Sequence, residues 1–320
     1  MNIFKIQHKE GFLNTLFFKI KKVDHAYSVL KKYFNKIDII KISNSSNKKV
    51  YLVDISNNEI NCFKIRGAFN EVLNKNLNNI DYLCTASSGS FGISVAMGAK
   101  LLKKKSIIFV PKNIKKKKKL LMEKYGAKLF YYKDYEEAKV AAKKFSQKEK
   151  HIFIDGLGDF TLHGNATYIK ELYEKKKSDF RDKKKVAFVV PLGIGSLAIP
   201  VAMFMKKKKI NFDLFVVEPK NYSKFYSYYN NVKIKKFKNT IADGAAVKSL
   251  PRKSLLLLKK LATFIITLNE KEIKKSISHL NSYFLKKIEG AGALGIGGYL
   301  YSKKYFLSYS STYIFVTGKN

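Results

Sequence analysis

The chain has no tryptophan, only two cysteines, five prolines and 24 acidic residues against 63 basic ones. Each shortage removes a class of protein. Cys62 and Cys84 lie too far apart for a Cys-x-x-Cys motif and too few in number for a disulfide framework, which points to a reducing compartment. No apolar stretch reaches the roughly 18 residues that a membrane helix needs. The best of them, 255–268, is split by Lys259 and Lys260. The opening segment is apolar around 12–18 but has no small-residue cleavage site, so the expected location is the cytoplasm, without a signal peptide or membrane partner.

Arginine is the most telling shortage. Arg66, Arg181 and Arg252 are the only three, leaving 60 lysines in a chain of net charge +39. Clustered cations bind nucleic acid by counterion release, but phosphate and base readers favour the bidentate guanidinium fork. The lysine runs at 103–105, 115–119, 175–177, 183–185 and 206–209 fall between or at the ends of apolar segments, as solvated helix ends and loops do. With abundant Asn, Ile, Phe and Tyr, this reads as the product of an AT-rich genome, with no specific nucleic-acid partner.

The 320 residues are 46% hydrophobic and 14% aromatic, enough for a sizeable core and for two domains or one large α/β unit. From residue 80 short apolar runs alternate with amphipathic stretches, the pattern of β-α units on a parallel sheet. Strands are expected at 80–85, 107–110, 128–132, 152–154, 186–190 and 214–217, and helices at 91–102, 116–125, 135–145 and 197–205. A helix at 26–34 and a strand at 50–53 are the only elements expected before residue 60. The lysine-rich segment 175–185 marks the expected boundary between the two series.

Three places carry reactive chemistry. Lys64, in Asn61-Cys62-Phe63-Lys64-Ile65-Arg66-Gly67-Ala68, has apolar neighbours and an expected glycine turn. An amine withdrawn from water becomes a nucleophile toward aldehydes. In a lysine-rich chain such a neighbourhood also arises by chance. The loop Ser87, Ser88, Gly89, Ser90 follows a strand and opens a helix, where exposed N–H groups suit a carboxylate or phosphate; an ordinary turn with a serine cap has the same composition. The loop Gly193, Ile194, Gly195, Ser196, Leu197 occupies the equivalent place in the second series. With Ala198 it also reads as a Gly-x-Gly-x-x-Ala dinucleotide fingerprint, with Glu218 as the ribose-binding acid, which would make the protein an NAD(P)-dependent oxidoreductase. Further small-residue stretches run through 240–247 and 289–295, and an apolar strand at 314–316 ends in Thr317 and Gly318.

Taken in order, these segments resemble the threonine and serine dehydratase branch of the fold type II pyridoxal-phosphate enzymes. Patterns of the kind S-F-K-x-R-G-A, S-S-G-N-H, G-G-G-G-L, V-E-P, A-D-G-x-A-V, E-G-A-G-A and S-G-G-N are matched, wholly or in part, between residues 62 and 318. The resemblance implies an α/β fold of two parallel-sheet domains with pyridoxal 5'-phosphate in the cleft between them. The larger, cofactor-binding domain is expected at 1–60 and 181–320, the smaller at 61–180. It implies that Lys64 is the Schiff-base lysine and Cα base, that Gly193, Ile194, Gly195, Ser196 and Leu197 cradle the phosphate, that Thr317 meets the pyridine nitrogen, that Ser90 contacts the cofactor, and that Ser87, Ser88, Gly89 and Ser90 hold the substrate carboxylate. The implied reaction converts L-threonine or L-serine to a 2-oxo acid and ammonia, as in isoleucine biosynthesis, in a homodimer without a regulatory domain. Threonine synthase and cysteine synthase-like β-replacement share the fold; Arg66-Gly67-Ala68 and Ala242-Asp243-Gly244 favour the dehydratase. The chain departs from the family where Ser90 replaces an asparagine, Phe91 a histidine, and Tyr51-Leu52-Val53-Asp54 a Lys-Arg/Trp-Glu pattern.

Overall fold

A computed structural model describes residues 2–7, 17–43, 48–181, 184–234 and 237–319. Most of the apolar opening segment (12–16) and Lys183 lie outside them. The first elements are β1 (Asn2–Lys5), α1 (Ile20–Leu30), β2 (Asp38–Lys41) and β3 (Lys49–Asp54). Then follow α2 (Lys64–Asn74), β4 (Tyr82–Ala86), α3 (Ser90–Leu101), β5 (Lys105–Pro111), α4 (Lys116–Lys124), β6 (Ala127–Tyr132), α5 (Tyr135–Phe145), β7 (His151–Phe153) and α6 (Asp159–Lys175). The last part holds β8 (Val186–Pro191), α7 (Ala198–Lys207), β9 (Phe212–Pro219), α8 (Lys224–Tyr229), α9 (Arg252–Leu261), β10 (Phe264–Leu268), α10 (Glu270–Leu280), α11 (Gly290–Leu300) and β11 (Ser311–Val316).

The chain divides into two compact units: residues 1–23, 35–61 and 166–320 in one, 24–34 and 62–165 in the other. The passage to the smaller unit at 61/62 is one residue from the expected 60/61, the return falls at 165/166 instead of 180/181, and residues 24–34 of the N-terminal segment belong to the smaller unit. The described lysines of the lysine-rich segment are mostly exposed, at the end of α6 and just before β8, so its composition reports exposure to water and not a domain limit. The part of helix α1 from Asp24 onward joins the smaller unit because Tyr33 and Phe34, just beyond it, pack on Phe69 and His25 bonds Asn74 (Nε2 to Oδ1, 3.1 Å).

In the larger unit seven strands run in the order β1-β10-β9-β8-β11-β3-β2. The five inner strands are parallel and the edge strands β1 and β2 antiparallel. The inner strands are continuous apolar runs such as VAFVVP in β8, the pattern of a strand buried on both faces. Helix α11 packs on β8, β9 and β11 although its sequence, GAGALGIGGYL, has poor helix propensity. Its glycines let the helix touch strand backbone: a Cβ on Gly292 would stand 2.2 Å from the Gly318 oxygen, and one on Gly295 2.7 Å from the Phe315 oxygen. Burial and close packing override propensity here. The apolar run 255–268 becomes α9 followed by β10, and among the described residues no helix is long and apolar enough to cross a membrane.

In the smaller unit four parallel strands run β6-β5-β4-β7. Helix α5 has the bounds read from the sequence because Asp134 caps it, its carboxylate accepting from the Glu137 N–H at 3.0 Å. Helix α2 packs on α3, with Val72 against Gly98 at corresponding places in the two helices.

Candidate active site

In the larger unit the loop 191–197 joins β8 to α7. Gly195 has φ +93°, a left-handed conformation that disfavours any side chain, and this turns the backbone toward the start of the helix. Leu192 donates to the Val217 oxygen (2.8 Å) and Ser254 Oγ to the Ile194 oxygen (2.5 Å), which fixes both sides of the loop. Among the described residues the N–H groups of Gly193, Ile194, Gly195 and Leu197 donate to no other backbone carbonyl. They are donors at a helix N-terminus, an arrangement suited to a phosphate.

Three other segments adjoin this loop within the same unit. A Cβ on Gly193 would lie 3.5 Å from the Gly244 oxygen, one on Gly244 3.0 Å from Ala291 Cβ, and Gly292 abuts Gly318. The glycine loop, the 242–245 segment, the start of α11 and the end of β11 are thus in one neighbourhood. Thr317, 5% exposed, directs its hydroxyl toward the Ala291 oxygen at 3.5 Å, a distance long enough for the hydroxyl to turn to a better partner.

In the smaller unit Lys64 is the first residue of α2 and half-buried, its ammonium 5.9 Å from the centre of the Phe63 ring. The expected glycine turn after it is absent. Gly67 lies inside the helix, where the Asn165 amide leaves only 2.5 Å for a Cβ. Glu71, further along α2, is buried and accepts from the Thr161 N–H (2.9 Å) and from Lys75 Nζ (3.2 Å), anchoring the helix that begins with Lys64. Burial holds its carboxyl above the usual range. Nothing local in the sequence announces this anchor, because Thr161 is contributed by α6.

The serine loop opens α3. Ser87 Oγ accepts from the N–H groups of Gly89 (3.2 Å) and Gly92 (3.0 Å), while Ser88 is exposed and Ser90 begins the helix. Lys118 Nζ comes within 3.3 Å of where a Cβ on Gly89 would stand, which sets a positive charge beside the loop. The expected sites are therefore divided between the units, Gly193 to Leu197 and Thr317 in the larger, Lys64 and the serine loop in the smaller. Neither Cys62 nor Cys84 is in a disulfide; burial pushes the Cys84 thiol up to about 12, so it stays protonated and unreactive.

Glu218 does not serve as a ribose-binding acid. It is buried at the end of β9 and accepts from the N–H groups of Phe225 (2.9 Å) and Tyr226 (3.0 Å) at the start of α8, so its oxygens are committed. Burial pushes its carboxyl up to about 7, against an ordinary value of 4.5. A raised folded-state value makes the contribution to stability complete below about 4.5 and lost as pH rises through about 7. Glu218→Gln is therefore expected to remove a fall in stability between these limits, of at most about 1.4 kcal/mol per pH unit. Urea unfolding of both proteins from pH 4.5 to 8 checks this; a difference between them that stays constant with pH would refute it.

The chain matches the family model described as "Pyridoxal-phosphate dependent enzyme" over residues 35–318. It is 26% identical over 264 residues to the L-threonine ammonia-lyase of Thermotoga maritima, covering 81% of this chain and 64% of that protein. The chain thus spans just under two thirds of that relative's length. It is 26% identical over 292 residues to the L-threonine dehydratase biosynthetic IlvA of Lactococcus lactis (86% of this chain, 68% of that one). Among solved structures, threonine deaminase isoform 2 from Solanum lycopersicum superposes with a TM-score of 0.83 at 21% identity (100% and 93% covered). Maize serine racemase does so at 0.81 and 22% (94% and 93% covered). These likenesses establish the α/β fold of the fold type II enzymes.

Proposed function

Because the chain belongs to the pyridoxal-phosphate-dependent enzyme family, we propose that it is an ammonia-lyase that converts L-threonine, or L-serine, to the corresponding 2-oxo acid and ammonia. We further assign it to isoleucine biosynthesis, acting in the cytoplasm as a homodimer. The residues fit the cofactor. The loop 193–197 offers a row of N–H donors at a helix start, Gly195 supplies the bend that aims them, and Thr317 offers a hydroxyl whose contact with the Ala291 oxygen is long, at 3.5 Å.

Pyridoxal phosphate, when bound, supplies the electron sink for the pair left at the substrate Cα. Gly193, Ile194, Gly195, Ser196 and Leu197 bind its phosphate. Lys64 Nζ would hold its aldehyde carbon and, when free, would take the substrate Cα proton. Ser87, Ser88, Gly89 and Ser90 orient the substrate carboxylate through the N–H groups at the start of α3, beside the positive charge of Lys118. Lys64 would then pass that proton to the departing β-hydroxyl, which leaves as water. The released unsaturated amine takes water back and yields the 2-oxo acid and ammonia, so the atoms balance.

The single observation that carries elimination is the residue at the end of β11. Thr317 is neutral, so beside the ring nitrogen it would place no negative charge, which would limit the spread of the electron pair and favour prompt loss of the β-substituent. The same Cα chemistry serves racemisation and β-replacement, and serine racemase is among the structures with this fold. A substrate panel separates them: L-threonine, L-serine, O-phosphohomoserine and O-acetylserine with sulfide, scored for 2-oxo acid, ammonia, threonine, cysteine and D-serine. The expected result is 2-oxo acid with an equal amount of ammonia from L-threonine or L-serine. Threonine from O-phosphohomoserine, or cysteine as the main product, would overturn it.

A further inference from the structure

Lys319 has an unusual situation for a lysine of a very basic chain. Its ammonium pairs with the Asp54 carboxylate, the two side chains being 10% and 1% exposed, and lies 4.6 Å from the centre of the Phe284 ring. Asp54 is held in turn by Ser56, whose N–H and Oγ both donate to its other oxygen (2.9 and 2.6 Å). Asp54 ends β3 opposite Val316 of β11, so the Lys319 side chain folds back across the end of the neighbouring strand and staples the turn that carries Thr317. The Lys319 backbone makes a second tie, its N–H donating to the Asn61 oxygen at 2.9 Å.

Asn61 is itself constrained. It has φ +51°, rare for a residue with a side chain, and its Oδ1 accepts from Lys286 Nζ at 3.0 Å. It is also the last residue of the larger unit before the chain passes to the smaller one, three residues ahead of Lys64. Lys319 stands where the resembling S-G-G-N pattern has its second glycine, and Asp54 stands in the stretch that lacks the family's Lys-Arg/Trp-Glu pattern. Residues that depart from two separate family patterns are thus each other's partner. A buried ion pair adds little net stability over apolar residues of the same shape, so its stronger justification is the geometry it enforces.

We propose that Lys319 is a positioning residue which, within the larger unit, fixes both the Thr317 turn and Asn61, the residue from which the chain leaves for Lys64. This rests on the reading of Thr317 and Lys64 as cofactor-holding residues. Lys319 touches neither cofactor nor substrate in this scheme. It acts through the backbone of the turn and through Asp54.

The test compares wild type, Lys319→Met, Lys319→Arg and Asp54→Asn by titration with pyridoxal phosphate, followed by quenching of tyrosine fluorescence, and by kcat and KM with L-threonine. Lys319→Met is expected to weaken cofactor binding and lower kcat, each on the order of tenfold, with KM for threonine little changed. Lys319→Arg is expected to recover most of both. Asp54→Asn keeps a hydrogen-bonding partner for Lys319, is expected to fall between, and decides the matter if Lys319→Met does not fold. A folded Lys319→Met or Asp54→Asn protein with a lowered melting temperature but wild-type cofactor affinity and kcat would show a merely structural pair and overturn the proposal. Wild-type protein that binds no pyridoxal phosphate would instead overturn the functional reading, and this proposal with it.

Discussion

Lys64→Ala is expected to yield folded protein that shows no visible band with pyridoxal phosphate reducible by borohydride, and whose turnover falls by at least about a thousandfold. The substitution removes the only group assigned both to hold the aldehyde carbon and to take the Cα proton. The fold should survive. Lys64 is half-buried at the first position of α2, alanine is the better helix former, and the anchor from Glu71 to Thr161 remains. Lys64→Arg is the stricter control, since it keeps the positive charge and most of the packing yet cannot condense with an aldehyde at neutral pH. Absorbance before and after borohydride, with circular dichroism to confirm folding, checks both. A reducible band that persists in Lys64→Ala would move the Schiff base to another lysine.

Gly292→Ala is expected to have the second largest effect. The new Cβ would stand 2.2 Å from the Gly318 oxygen and 3.0 Å from the Gly318 nitrogen, and both are backbone atoms that cannot rotate away. Either α11 withdraws from the sheet or the end of β11 moves. Overpacking of this kind costs roughly 3 kcal/mol. Because Gly318 follows Thr317, the same displacement shifts the hydroxyl assigned to the ring nitrogen. Cofactor affinity should therefore fall along with stability, whereas Ala293→Gly, on the same helix, should lower stability alone. Thermal unfolding with and without cofactor distinguishes them; a Gly292→Ala protein that is as stable as wild type and binds cofactor equally would show that the close approach is not required.

The middle of the chain is readable in the sequence because short apolar runs alternate there with amphipathic or lysine-rich helical stretches, and the expected strands and helices from 80 to 154 all appear within a few residues of their expected bounds. Helix α11 was recognisable only as a small-residue stretch able to approach another backbone, since five glycines give it no helical signature and only its contacts with the sheet make it a helix. The edge strands β1 and β2 are four residues each and half exposed, too short for a periodicity to show. Lys64 was identifiable by its neighbours, but Gly67 suggested a turn where close packing against Asn165 requires a small residue in a helix. Lys319 and Asp54 gave no joint signal, because they are far apart in the chain and meet only through the pairing of β11 with β3. The acid-like placement of Glu218 suggested a dinucleotide site, and its buried bonds to α8 explain the residue without one.

The most direct measurement is the visible absorption spectrum of the cofactor-loaded protein on addition of L-threonine, with 2-oxo acid measured in the same sample. The account expects a band that threonine displaces during turnover and that returns when threonine is exhausted, with 2-oxobutanoate and ammonia formed in equal amounts. A loaded, coloured protein whose spectrum threonine and serine leave unmoved, with no 2-oxo acid formed, would contradict it.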